Sequence, residues 1–202
     1  MTTSLTLYVD YRSPFSYLIK DDAYALARDF GVDIAWRPFA VDIESAYGGA
    51  VDERTERDWR KVRYSYMDAR RLANRRNLIV RGPQKIFNAN NVHIGMLHAL
   101  RAGEQVFRHY HDKVYERFWR RDLEIEDLAA IRDILIASGA DGPGFDNLVR
   151  SGEGLREYMQ VVAEAERRGV FGVPTFVVDK TGELFWGTDR LWLLRECLER
   201  RA

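Results

Sequence analysis

One cysteine, Cys197, stands in 202 residues, so the chain can form no internal disulfide and has no Cys-x-x-Cys pair. Dithiol exchange within the chain is excluded on that ground, and the shortage agrees with a reducing compartment. Net charge is also missing: 31 Lys and Arg balance 31 Asp and Glu, so no global field points to nucleic acid or an anionic membrane as partner. No run approaches the ~18 apolar residues of a membrane helix. The opening Met1-Thr2-Thr3-Ser4 lacks the charge and apolar stretch of a signal peptide, which makes the cytoplasm the expected compartment. The four histidines, His93, His98, His109 and His111, show no metal-ligand spacing; they read as surface or partly packed residues, and no metal is expected.

What is present is an ordinary globular pattern, 46% apolar and 31% charged, long enough for one large domain or one domain split by an insertion. Leu5, Leu7 and Val9 alternate with polar neighbours as in a strand over 4–10. A helix follows from Pro14 to Phe30, ended by Gly31, and a second strand covers 32–39. The middle is helical in pattern, with helices expected at 53–77, 91–102, 104–119, 125–138 and 153–168. Gly103, Gly139, Gly142-Pro143-Gly144 and Gly152 divide them. "PTFVVD" (174–179) and "ELFWG" (183–187) form a β-hairpin about Lys180-Thr181-Gly182, and Thr188-Asp189 caps a last helix with Leu191, Leu194 and Leu198 on one face. The fold class expected is α/β, β-α-β then β-β-α, with residues 1–44 and 169–202 as one domain and 45–168 as an all-helical insertion.

At the first strand-to-helix junction the chain reads Ser13-Pro14-Phe15-Ser16. Taken alone, Ser13 is a favoured N-cap and Pro14 a favoured first helical residue. Read with the distant segments, the junction gains a second meaning. The stretches "DYRSPFSYL" (10–18), "RPF" (37–39), "RKVRYSYMDARRLA" (60–73), "GVFGVPTFVVD" (169–179) and "ELFWGTDRLWLL" (183–194) together resemble the 2-hydroxychromene-2-carboxylate isomerase family. That family is related to kappa-class glutathione transferases, within the DsbA-like branch of thioredoxin folds.

The resemblance implies a thioredoxin-like fold, glutathione as cofactor, and a homodimer acting on a small aromatic or electrophilic substrate. Ser13 falls where the family serine faces the glutathione sulfur. Val173-Pro174 falls on the cis-proline bond whose preceding residue offers its backbone to the cysteinyl part. Thr188 and Asp189 fall on the segment that holds the γ-glutamyl group, and Lys61 on a lysine near the glycyl carboxylate. The implied reaction is cis-trans isomerisation of an aromatic pyruvylidene acid by reversible thiolate addition, or transfer of glutathione to an electrophile. Where family members carry an Asn and two prolines, this chain has "YGGAVDERTERDW" (47–59), so one family contact is not visible. Two other classes remain: a DsbA-like oxidoreductase, opposed by the serines at 13 and 16, and a non-catalytic binding module. Asn88, Asn90 and Asn91 read as turn and cap residues, Cys197 as a small packed residue, and Phe15, Tyr47, Trp59 and Tyr64 as aromatics available to line a pocket.

Overall fold

The structure, a computed structural model, describes residues 4–200. Strand β1 (Ser4–Val9) is buried along five of its six residues, as suits a central strand. It pairs in parallel with β2 (Asp33–Pro38) and antiparallel with β3 (Thr175–Val178), and β3 pairs antiparallel with β4 (Glu183–Trp186), giving the order β2-β1-β3-β4. Helix α1 (Pro14–Phe30) makes the crossover between the parallel strands and ends at Gly31, whose φ of 60° places it in the left-handed region that glycine adopts freely.

Between β2 and β3 lie a short turn of helix, α2 (Ile43–Ala46), then α3 (Glu56–Asn74), α4 (Asn90–Ala102), α5 (Glu104–Arg120), α6 (Leu128–Ser138), α7 (Gly142–Arg150) and α8 (Glu153–Arg167). Helix α9 (Leu191–Glu199) closes the order. The β-α-β, helices, β-β-α sequence is the one expected. Helix α7 departs from the sequence pattern: Gly142-Pro143-Gly144 reads as a divider, yet Asp141 stands at the N-cap and proline lies in the first turn. Proline is tolerated there because the missing N–H would have no helical partner. The last helix also differs. Thr188–Arg190 form a separate 3-10 turn, and α9 starts at Leu191 without a side-chain cap.

The larger apolar core runs from the sheet into the helices, with Trp36 of β2 packed on Phe107 and His111 of α5, and a smaller cluster gathers Tyr8, Phe39, Ala165, Val170, Val173 and Val177. His93 and His111 are fully buried, which corrects their reading as surface or partly packed residues. Each finds a polar partner inside: His111 Nδ1 lies 2.9 Å from the Tyr11 hydroxyl and His93 Nδ1 3.0 Å from the Tyr158 hydroxyl. Buried polar groups of this kind are tolerated when hydrogen-bonded.

Helix α4 is central to this packing, and Gly95 lets α5 approach it. A Cβ at Gly95 would sit 2.4 Å from the Tyr110 hydroxyl oxygen and 3.1 Å from Ile131 Cγ2, while that hydroxyl donates to the Val92 carbonyl at 2.8 Å. Gly95→Ala is therefore expected to destabilise the fold by about 1–3 kcal/mol, as overpacking does, read as a lower denaturant midpoint at unchanged slope.

Candidate functional site

The turn between β1 and α1 is built around a buried carboxylate. Asp10, 1% exposed, accepts hydrogen bonds from the backbone N–H of Arg12 (2.9 Å) and of Val41 (3.1 Å) and pairs with the Arg12 guanidinium at 2.8 Å. Arg12 in turn donates to the carbonyls of Val41 and Phe87, both at 3.0 Å. One ion pair thus joins three segments: the β1–α1 turn, the chain leaving β2, and the chain entering α4. Burial alone would raise the pKa of Asp10, but the Arg12 charge, helped by His93, reverses this and holds the carboxyl well below the usual carboxylate range. His93 Nε2 lies 3.4 Å from the carboxylate; burial lowers the histidine's pKa despite that attraction.

This brace aims the junction that follows. The Ser13 N–H donates to the Asp10 carbonyl at 3.0 Å, and Ser13 Oγ accepts from the Ser16 N–H at 3.2 Å, a helix N-cap. The two serines of Ser13-Pro14-Phe15-Ser16 differ in setting. Ser16 is fully buried and its Oγ accepts from the Asp10 N–H at 3.4 Å, whereas Ser13 is half-buried.

Register places other expected residues at the same end of the sheet. Tyr8, near the end of β1, pairs with Thr175, the first residue of β3, and Thr175 pairs with Trp186, the last of β4. Val173-Pro174, joined by a cis peptide bond, therefore lies beside the end of β1. Thr188 and Asp189 follow β4 at that end, where the Gly187 N–H donates to the Pro174 carbonyl at 2.8 Å and the 3-10 turn contacts α1. No hydrogen bond or ion pair among the described residues joins Lys61 to this group. It projects from α3, more than half exposed, 3.8 Å from Asp58.

A cavity of about 600 Å³ adjoins the brace, between the 43–54 segment, α3 and residues 82–87; Arg12, Trp59, Tyr66, Met67, Phe87 and Phe118 are among its walls. Of the four aromatics named from sequence, Tyr47 and Trp59 line it. Tyr64 is instead largely exposed, and Phe15 packs against the core. Asn88 accepts from the Asn90 N–H at 2.8 Å, and Asn91 donates to the Glu126 carbonyl at 2.9 Å, so both serve the turn. Cys197 is half-buried, its sulfur 3.8 Å from Glu183.

Sequence reasoning missed the Asp10–Arg12 pair. Its trace was visible as Asp-x-Arg inside "DYRSPFSYL", but partners at Val41 and Phe87 have no local signature. The signs of its titration follow. Asp10 has a lowered folded pKa, so its stabilisation is full above the unfolded value of about 3.9 and is lost as pH falls toward the folded one. His93 and His111 are held neutral, the latter by burial and the Lys20 charge, so stability also falls once pH drops below about 6.5, by up to about 1.4 kcal/mol per pH unit for each. Asp10→Asn, which leaves a buried guanidinium unpaired, is expected to cost about 3–5 kcal/mol. His93→Gln should flatten the pH 5–7 limb, with denaturant midpoints across pH 4–8 as the measurement.

Comparison with known proteins agrees with this architecture. A family model described as a DSBA-like thioredoxin domain matches residues 4–199. The 2-hydroxychromene-2-carboxylate isomerase of Sphingobium xenophagum is 29% identical over 198 residues, covering 98% of this chain and 99% of the relative. The Pseudomonas putida protein of the same name is 28% identical, covering 96% and 93%. A solved structure of a 2-hydroxychromene-2-carboxylate isomerase superposes with a TM-score of 0.79 at 26% identity, over 98% of this chain and 95% of that one. The cytosolic disulfide reductase DsbM from Pseudomonas aeruginosa, solved with GSH, shares the fold at a TM-score of 0.62 and 17% identity, over 97% and 99%. The chain belongs to the DSBA-like thioredoxin domain family, and the curated relatives it matches bear the name 2-hydroxychromene-2-carboxylate isomerase.

Proposed function

We propose that this protein is a glutathione-dependent isomerase acting on 2-hydroxychromene-2-carboxylate or a close aryl analogue. The observation that carries this reading is the meeting, at one end of the sheet, of the Ser13 hydroxyl, the Val173 backbone and the Thr188–Asp189 turn. The names of the relatives supply the reaction class.

The donor set suits a thiol tripeptide. Proline at 14 has no N–H, and the Ser16 N–H is taken by Ser13 Oγ, which leaves the Phe15 N–H and the Ser13 O–H directed by a 17-residue helix whose N-terminus favours negative charge. The Val173 N–H and C=O have no partner among the described residues, as strand-like pairing with a peptide requires. Asp189 offers a carboxylate to an ammonium; its Arg190 partner at 2.6 Å is exposed, and pairs of that kind contribute little. Lys61, exposed on α3, is assigned the glycyl carboxylate by the family likeness alone.

Glutathione, when bound, would supply a thiolate for reversible addition to a conjugated double bond, which is single, and so free to rotate, until the thiolate leaves. The protein's part is to favour the ionised sulfur at Ser13 and to hold both reactants in one orientation. Thiol stabilisation and proximity supply the acceleration. Ser13 stabilises and does not attack, since among the described residues no histidine bonds its Oγ: His93 faces Asp10 and Tyr158, and His111 Nδ1 meets the Tyr11 hydroxyl.

The test is turnover of 2-hydroxychromene-2-carboxylate with and without glutathione. Activity should require glutathione, and Ser13→Ala should lower kcat by about 10- to 100-fold, the loss of a hydrogen bond to a charged group. Calorimetric glutathione affinity should move much less. Full activity without glutathione, or in Ser13→Ala, would refute the proposal.

A further inference from the structure

The cavity beside Arg12 falls in the size range of small-molecule sites. Its walls are mostly apolar and aromatic, yet five cations, Arg12, Arg54, Arg63, Arg70 and Lys85, border it, and among the described residues no Asp or Glu does. Three of these charges are already answered. Arg12 pairs with Asp10 at 2.8 Å, Lys85 with Glu126 at 2.6 Å and Arg63 with Glu56 at 3.4 Å. Among the described residues, no carboxylate lies within ion-pair distance of Arg54 or Arg70. Arg70 is exposed and can be solvated. Arg54 cannot be fully so: its Nη2 is buried without a hydrogen-bond partner, and its sole hydrogen bond among the described residues is a long one, 3.4 Å from Nε to the Gly49 carbonyl.

Its surroundings hold that guanidinium in place. Its central carbon lies 5.4 Å from the Trp59 ring centre and 5.9 Å from that of Tyr47, two aromatic walls of the same cavity. The loop carrying it is tied at both ends. The Gly49 N–H donates to the Glu44 carbonyl at 2.7 Å, and Thr55 and Asp58 form a capping box at the start of α3. Asp58 is close enough to Gly48 that a Cβ there would meet its carboxyl carbon at 2.5 Å. A buried donor without an acceptor is costly, and here an oxyanion entering a cavity with aromatic walls would relieve the cost.

From this arrangement we infer that Arg54 is a specificity-determining residue that receives the carboxylate of an aryl anion, whose ring lies among Tyr47, Trp59 and Tyr66. A guanidinium fork matches a carboxylate with two donors, which a neutral amide cannot answer with charge. Arg54 lies within "YGGAVDERTERDW", the segment that departs from the family pattern. That the anion is the isomerase's own second substrate rests on the proposed function; that the cavity selects aryl carboxylates does not.

Titration calorimetry with trans-cinnamate and its neutral isostere cinnamamide, in the absence of glutathione, separates the two. The wild-type protein is expected to bind cinnamate at least tenfold more tightly than cinnamamide. Arg54→Met should weaken cinnamate about 10- to 100-fold and leave cinnamamide within about threefold, which shows that the cavity is intact. Arg54→Lys should recover part of the affinity for cinnamate, since charge without the fork remains. Equal binding of the two probes by wild-type protein, or unchanged cinnamate binding by Arg54→Met, would overturn the assignment. Either result leaves the glutathione requirement, measured separately, where it stands.

Discussion

The site depends on one buried ion pair. Asp10 and Arg12 are two residues apart in a tight turn, and by themselves would be a costly burial, since desolvating two charges commonly exceeds their mutual attraction. The surrounding chain removes that objection by supplying hydrogen bonds: two backbone N–H groups for the carboxylate, two backbone carbonyls for the guanidinium. The same bonds that make the pair tolerable fix where the 40–43 and 86–87 segments stand relative to the N-terminus of α1. Ser13 and the cavity are thereby positioned on neighbouring sides of a single charged residue, Arg12, which lines the cavity and directly precedes Ser13.

The serine pair acquires meaning from that turn. A helix N-terminus stabilises whatever anion is presented to it, whether a thiolate of the chain or one that arrives from outside. Here the buried member of the pair, Ser16, is absorbed into the brace through its bond from the Asp10 N–H, and the half-buried member, Ser13, stands at the helix N-cap. A disulfide needs two sulfurs, and Ser-x-x-Ser offers none. Stabilising an external thiolate needs only one hydroxyl, a free N–H and the dipole behind them, and all three are present. The chain itself supplies no thiol there.

Legibility in the sequence followed the range of the interactions. The strands around Leu5-Leu7-Val9 and "PTFVVD", the helix from Pro14 to Phe30 and the hairpin turn all have local signatures, and they stand in the expected order. Helix α7 was hidden because Gly-Pro-Gly reads as a breaker, although proline in the first turn is favourable. His93 and His111 were misplaced for a different reason: their partners, Tyr158 and Tyr11, lie 65 and 100 residues away, and no local pattern marks a histidine whose hydrogen bond is that remote. For the same reason "DYRSPFSYL" showed the serine but not the carboxylate beneath it.

Charge patterning shows the same limit more sharply. The chain sums to zero, and the run of cations from Arg54 through α3 to Arg76 reads as a solvated face. In three dimensions that run divides by direction. Arg76 reaches back to Asp22 at 2.8 Å and to the Leu18 carbonyl at 2.6 Å, fastening the helix to α1. Arg57, Arg60, Arg71 and Arg75 are exposed, while Arg54, Arg63 and Arg70 turn toward the cavity. Neutrality overall is compatible with a local surplus of cations because the balancing carboxylates are spent elsewhere: Glu56 and Glu126 on two of the cavity's own cations, Asp10 on Arg12, Asp22 on Arg76. Of the two cavity cations left without a carboxylate among the described residues, Arg70 is exposed to water, whereas the guanidinium of Arg54 is half-buried between two rings, and an aromatic acid is the ligand whose shape and charge together complete it.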